Sequence, residues 1–408
     1  MKNRGFVLKQ GETCGRGFDS HWPQINTVRK MYVFNYPTKI IFGVGAFNLV
    51  KKIPEWYKSC SQILLVTGRK SMKKAGYVDK FIELVKPLRV EWYNKVEPNP
   101  TLQNAEEAAN IAKEVNADLV VALGGGSAMD LGKAVATYCK HKGKLKDYFY
   151  KKKKFTHKGL SCICIPSTPA SSSEITKYSV FTDPDAELKR SISSEFLQAE
   201  LAIIDPEISL TLPNYQLACS ALDILCHAIE SYWSKKSNFF TKQQALSAAE
   251  LVYKNAPLAY HDASLLEAKV NLHKASMFAG FAFNITGTTS VHSCSYPFTV
   301  LYGIPHGHAC ALFLLPMMKF FYEKAPEKVS PLLRAFDADD IEECLGLLRE
   351  WIESLGLELN VEKLGVKKKD FSKILSMIVK VNKFNDPYDM MPQHYESVLE
   401  SVFRGEFA

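Results

Sequence analysis

"DLVVALGGGSAMDLGKAVA", residues 118–136, decides how this chain folds. The apolar run ahead of Gly124 reads as a strand buried on both faces, the three glycines as a turn, and the Ala, Met, Leu and Val spacing beyond Ser127 as a helix. Gly124, Gly125 and Gly126 leave backbone N–H groups uncovered where a helix dipole favours negative charge, so the phosphates of a dinucleotide could approach. Ser127 could add a hydroxyl or cap the helix, and Asp130 falls in its first turn. The turn is not GxGxxG, and a tight turn with no ligand competes with the phosphate reading.

The same texture extends on both sides. β-Branched runs at 39–43, 62–68, 89–94, 118–126, 161–167 and 201–206 alternate with amphipathic stretches such as 104–116, the pattern of a parallel sheet covered on both faces. After Asp205-Pro206 the strand runs stop, and helix-period segments follow at 214–234, 240–258, 262–284, 309–325, 341–355 and 369–382. The expected fold class is therefore α/β, a doubly wound Rossmann-like domain over 31–206, followed by an all-α domain over 207–408. A cofactor at the carboxyl ends of the strands would face the helical half across a cleft.

A second loop bears on which cofactor. The strand 62–68 ends in Gly68, and Arg69, Lys70, Lys73 and Lys74 crowd the next few positions. Sites for NAD place an acid on the ribose 2′-hydroxyl, whereas sites for NADP supply cations to the 2′-phosphate. With no acid and four bases, this loop points to NADP(H) over NAD(H), although a solvated helix start looks similar.

Composition narrows the class. The 408 residues are 47% hydrophobic and 12% aromatic, a globular profile. The net charge of +8 is concentrated, with Lys2, Arg4, Lys9, Arg16, Arg29 and Lys30 opposed only by Glu12 and Asp19 in the leader. That distribution and the solvated "KKKK" at 151–154 argue against nucleic acid as partner. The leader, residues 1–30, has no apolar h-region and is expected to be a poorly ordered extension upstream of Met31. Ten cysteines without CxxC pairs suggest reduced thiols and a cytoplasmic protein, and no apolar run reaches the roughly 20 residues of a membrane span.

Within the helical half, Asp223 and His227 in "ALDILCHAIESYW" (221–233) lie one turn apart on one helix face. A carboxylate among Leu, Ile and Ala needs a partner. A plain hydrogen bond, an acid/base pair and two metal ligands all satisfy that need. Further along, "GTTSVHSCSYPFTVLYGIPHGHACALFLLP" (287–316) holds His292, His306 and His308. Asp223 and His227 with two of these would give a mixed N/O set suited to Fe(II) or Zn(II). His308 reads as structural, His261 and His273 as ordinary surface or helix positions, and Glu230 as an acceptor behind the ligands or an ion-pair partner.

Several of these stretches occur in the order found in one family. "EPNPT" (97–101), "GGGSAMD" (124–130), "IPSTPASSSEIT" (165–176), "DP" (205–206), "DILCHAIE" (223–230), His292 and His306 together resemble the iron-containing (group III) alcohol dehydrogenases, from about Tyr32 to the C-terminus. The resemblance implies Asp223, His227, His292 and His306 as ligands of Fe(II), with Zn(II) as the alternative. It further implies that Gly125, Gly126 and Ser127 hold the dinucleotide and that Asn99, Ser167, Thr168 and Lys189 contact it. Gly68 falls where NAD-preferring members carry aspartate, which agrees with the reading of Arg69 and Lys70 as NADP contacts. Two departures stand out: Pro169, Ala170 and Ser171–Ser173 replace a glycine-rich loop, and Tyr296 stands where many members have a proton-transferring histidine. The expected activity is hydride transfer between NADP(H) and a small alcohol or aldehyde, by a homodimer without membrane or nucleic-acid partners. A phosphonoacetaldehyde reductase-type enzyme, and a metal-free binding protein, are the alternatives. The dehydroquinate synthase-like lyases share the architecture with a different ligand set.

Overall fold

A computed structural model describes residue 32, residues 34–380 and residues 385–406; the leader therefore lies outside the described residues. Up to Tyr36 the described part is a short segment in which the rings of Tyr32 and Phe34 stack, 6.3 Å between centroids. From Pro37 onward the chain forms a second unit, which carries the fold.

All six strands expected from the sequence form: β1 (Lys39–Phe42), β2 (Gln62–Gly68), β3 (Arg89–Val96), β4 (Leu119–Gly124), β5 (Ser161–Pro166) and, last in the chain, β8 (Leu201–Ile204). They pair in parallel in the order β1-β8-β5-β4-β2-β3, with Val121 of β4 between Leu65 and Ile163. Strands buried on both faces need apolar side chains at every position, which is why they read as continuous Val/Ile/Leu runs. One apolar cluster covers each face of the sheet. Strand β3 lies beyond β2 on one side, whereas β5 follows β4 on the other. The order therefore reverses between β2 and β4, and Gly68 and Gly124 end the two strands that flank this crevice.

A hairpin between β5 and β8 was not expected from the sequence pattern. Strands β6 (Tyr178–Asp183) and β7 (Leu188–Ser193) pair antiparallel in a sheet of their own, and β6 packs on the helix that opens at the glycine turn. β6 alternates buried and partly exposed residues over only six positions and β7 breaks the alternation, so neither pattern stands out.

Helix α1 (Leu102–Glu114) begins at a Thr101 capping box, and α2 (Gly126–Tyr138) begins at the glycine turn. Gly132 lets α2 lie on β4, since a Cβ there would stand 2.6 Å from that of Ala122. After Ile204 the described residues form helices and turns only. The principal helices are α3 (Asn214–Trp233), α4 (Phe239–His261), α5 (Leu266–Thr286), α6 (Ser290–Tyr302), α7 (His306–Lys324), α8 (Ile341–Ser354), α9 (Phe371–Lys380) and α10 (Pro392–Arg404). Every residue of α3 from Leu217 to Trp233 is buried, because α4, α5 and α7 pack around it. It is hydrophobic nearly all round, and Asp223 and His227 are therefore carried into the interior. The halves meet where Ile175, Ala202 and Ile204 touch Met277 and Phe281 of α5. No helix among the described residues is long and apolar enough to cross a membrane.

Candidate metal centre and cofactor cleft

Asp223 and His227 come from the middle of α3, His292 from the first turn of α6, and His306 from the first residue of α7. They converge on one oxygen. Asp223 Oδ1 lies 3.4 Å from His292 Nε2, 3.7 Å from His306 Nε2 and 3.8 Å from His227 Nδ1. Two of these separations exceed hydrogen-bond length and the third is marginal. Asp223 Oδ1, His227 Nδ1 and His292 Nε2 are indeed buried atoms without a hydrogen-bond partner. Buried donors and acceptors are normally satisfied, so a cluster of orphans facing one another fits a cation among them. Cys310, one turn beyond His306 on α7, belongs to the same group: ligand atoms of Asp223, His292, His306 and Cys310 all lie within 4.8 Å of one another. The sequence reading missed Cys310, whose i+4 offset from His306 was the available clue.

Charge in the cluster is mutually stabilised. Burial alone would raise the Asp223 carboxyl, but His227, His292 and His306 hold it below the usual carboxylate range. Burial pushes the His227 imidazole down to about 4. Behind His292 stands Glu230, which settles its role: it is fully buried, one oxygen accepts from His292 Nδ1, and the other from Thr289 N (3.0 Å) and Thr289 Oγ1 (2.6 Å). This carboxylate fixes the ring orientation and aims Nε2 at Asp223. Glu230→Gln is therefore expected to weaken metal binding about 10- to 100-fold without unfolding the chain, measured by metal competition titration. His308 is structural, with Nδ1 on Tyr215 Oη (2.9 Å) and Nε2 on Glu358 O (2.7 Å), and His273 is a buried position on α5.

Across the crevice the cofactor candidates assemble around the glycine turn. Asn99, at positive φ, donates its N–H to Ser127 Oγ (3.3 Å), and Lys189 on β7 donates to Asn99 Oδ1 (2.8 Å). Ser167 N bonds Gly124 O (2.9 Å), and Thr168 Oγ1 would lie 3.4 Å from a Cβ on Gly125. Asp130 points elsewhere: its oxygens accept from Ser173 Oγ and from Val180 N (2.9 Å), which ties the serine-rich loop and β6 to α2. Lys189 links the two sites. Its Nζ lies 5.4 Å from the centre of the Tyr296 ring, which lies 5.8 Å from that of His306. Burial pushes the Tyr296 phenol up to about 12 and Lys189 down to about 8.

At Gly68 the structure alters the charge picture drawn from sequence. Arg69 pairs with Glu97, 28 residues on, and Lys73 with Asp79, while Lys95 beside them pairs with Glu107, so acids outside the loop come in beside its bases. Arg69, Asn94, Lys95, Asn104 and Glu107 line a depression of about 500 Å³ there, and nothing lies within 4 Å of where a Gly68 Cβ would be.

Comparison with known proteins agrees with this geometry. The family description "Iron-containing alcohol dehydrogenase" matches residues 37–206, and "Fe-containing alcohol dehydrogenase family, C-terminal" matches 217–403. The choline dehydrogenase of Bacillus subtilis is 30% identical over 394 residues, which cover 93% of this chain and 97% of that one. The chain belongs to the iron-containing alcohol dehydrogenase family. An NADPH-dependent butanol dehydrogenase of Clostridium saccharobutylicum is 27% identical, with 92% of this chain and 99% of that one covered. The sulfoacetaldehyde reductase of Bifidobacterium kashiwanohense, solved with NAD+, superposes with a TM-score of 0.85 at 28% identity, covering 92% of this chain and 99% of that chain. This family member is thus an oxidoreductase of the alcohol dehydrogenase type whose fold serves a metal and a nicotinamide cofactor. In it, a Cβ on Gly126 would stand 2.5 Å from Ser171 Oγ, which leaves no slack over the turn. Gly126→Ala is expected to lower dinucleotide affinity at least about tenfold, read by fluorescence titration, because the displaced serine crowds the helix N-terminus.

Proposed function

We propose that the chain is an NADP(H)-preferring, metal-dependent reductase of a small aldehyde, reversible to alcohol oxidation, with Asp223, His227, His292 and His306 as ligands of Fe(II) or, alternatively, Zn(II). One observation carries this reading: three histidine nitrogens face one buried carboxylate oxygen at 3.4–3.8 Å, and Tyr296 and Lys189 connect that cluster to Asn99 beside a glycine turn that opens a helix. A bound divalent ion supplies Lewis acidity at the substrate oxygen. The chain does the rest. Gly125, Gly126 and Ser127 receive the diphosphate on the N-terminus of α2, with Asn99, Ser167 and Thr168 around it. Lys189 holds Asn99 in place and presents a cation toward Tyr296. Tyr296, kept protonated by burial, donates a hydrogen bond at the substrate oxygen rather than relaying protons by ionising. Division of the chain into a cofactor domain up to Asp205-Pro206 and a metal domain beyond it is part of the same reading, supported by the end of the last strand at Ile204. So are a homodimer and a cytoplasmic setting; the free cysteines among the described residues suit a reducing compartment.

For NADP the support is the vacant space at Gly68 beside Arg69 and Lys70, in which a 2′-phosphate would compete with Glu97 for the Arg69 guanidinium. One charge-assisted contact of this kind corresponds to at least about a tenfold preference for NADPH over NADH in kcat/KM. A second reading, an ω-anionic aldehyde such as a phosphonate or sulfonate, is favoured by the buried cation of Lys189 at the cleft. The deciding experiment is an assay of anaerobically Fe(II)-loaded protein with both cofactors, against short alkyl, phosphono- and sulfo-aldehydes. Failure to transfer hydride to any of them would refute the proposal.

A further inference from the structure

Cys310 is fully buried on α7, and its sulfur lies 3.9 Å from each ring nitrogen of His306. The i, i+4 offset places both side chains on the same helix face. Alone, a buried cysteine means nothing. Here its sulfur shares a 4.8 Å cluster with one ligand atom each of Asp223, His292 and His306, and Asp223 Oδ1 and His292 Nε2 are buried atoms without a hydrogen-bond partner. His227, the other candidate ligand, reaches Asp223 at 3.8 Å but stands outside that tight group.

We propose that Cys310 is a metal ligand, its thiolate joining Asp223, His292 and His306 around the ion and making this centre a mixed N/O/S site. The inference rests on the metal-centre reading above and adds a donor to it. Two anionic ligands neutralise a divalent cation in a mostly buried site, whereas Asp223 alone leaves a net positive charge there. A soft sulfur also shifts preference toward thiophilic ions such as Zn(II) and Co(II), relative to hard ones such as Mg(II) or Mn(II). Binding requires that the Sγ–H proton leave for solvent, so each ion taken up releases a proton. Cys226, from the helix that carries Asp223, is equally buried but stands outside this group of ligand atoms.

Cobalt(II) is the probe. Wild-type protein titrated anaerobically with Co(II) is expected to bind one ion per chain, to release protons, and to develop a thiolate-to-cobalt charge-transfer band in the near ultraviolet. Cys310→Ser loses the band and binds Co(II) at least about tenfold more weakly; Cys226→Ser, which leaves the ligand in place, keeps the band. One bound cobalt without a charge-transfer band in wild type, or a band that survives Cys310→Ser, overturns the assignment of Cys310 and leaves the N/O site intact. No cobalt binding by any of the three proteins, with native circular dichroism, overturns the metal-centre reading and this assignment with it.

Discussion

Asp223→Asn is expected to lower kcat/KM by a factor on the order of 10³ while the chain stays folded. Metal catalysis supplies several kcal/mol to transition-state stabilisation, and each 1.4 kcal/mol is about a factor of ten. Asp223 contributes the carboxylate on which three histidines converge. An amide there keeps the shape and removes the charge that draws a cation inward. Oδ1 has no hydrogen-bond partner within the protein, but the three facing histidines outweigh the cost of burying its charge. In metal-free protein the substitution should therefore lower the unfolding temperature modestly, because the three histidines hold the carboxyl below its usual range in the folded state. In wild type, added metal should raise that temperature by mass action on the folded state, and the variant should lose this response. Metal analysis, thermal unfolding with and without metal, and initial rates separate the effects. Full activity with full metal content in the variant would remove Asp223 from the centre.

The largest expected loss of stability lies on the cofactor side. Lys133 is fully buried on α2, and its ammonium donates to Ser173 O (2.8 Å), Thr176 O (3.1 Å) and Tyr178 O, with Asp130 Oδ1 at 3.6 Å. Lys133→Met preserves length and apolar bulk but strips three carbonyls of their donor and leaves Asp130 without its counter-charge. Removal of one partner from a buried ionic network costs about 3–5 kcal/mol. Urea unfolding should show that loss as a lower midpoint. Because the same lysine holds residues 173–178 against α2, dinucleotide affinity should fall in the surviving folded fraction. A midpoint within error of wild type would mean that the carbonyls find other donors.

Much of the fold was legible because burial writes a simple pattern. Strands β2, β4 and β5 are apolar without interruption, and α3 to α5 carry long helical spacing, so existence and type were readable and only ends moved by a few residues. Helix α6 was not identified, although it presents His292: "SVHSCSYPFTVLY" is crowded with β-branched and small residues, contains Pro297, and is buried on most sides, so no polar face marks its period. The pair Asp223 and His227 was visible from spacing, and His292 and His306 from resemblance. Cys310 was hidden inside "CALFLLP", where a cysteine looks like core. The charge around Gly68 was misjudged for a different reason. Glu97 and Glu107 reach Arg69 and Lys95 only because β3 pairs with β2 and α1 packs beside it, a fact of topology that no local window contains.

The serine-rich loop has one more implication. Ser172 sits at a φ of 48°, and its hydroxyl donates to Ser276 O on α5 (2.6 Å). Gly280 makes room for it, since a Cβ there would stand 2.5 Å from the Ser172 Cβ. The loop over the glycine turn is thus tied, through the Ser172 side chain, to α5 of the helical half. On the helical side His306, with 27% of its side chain exposed, is the most open of the four candidate ligands, so whatever reaches the centre from solvent meets that imidazole first.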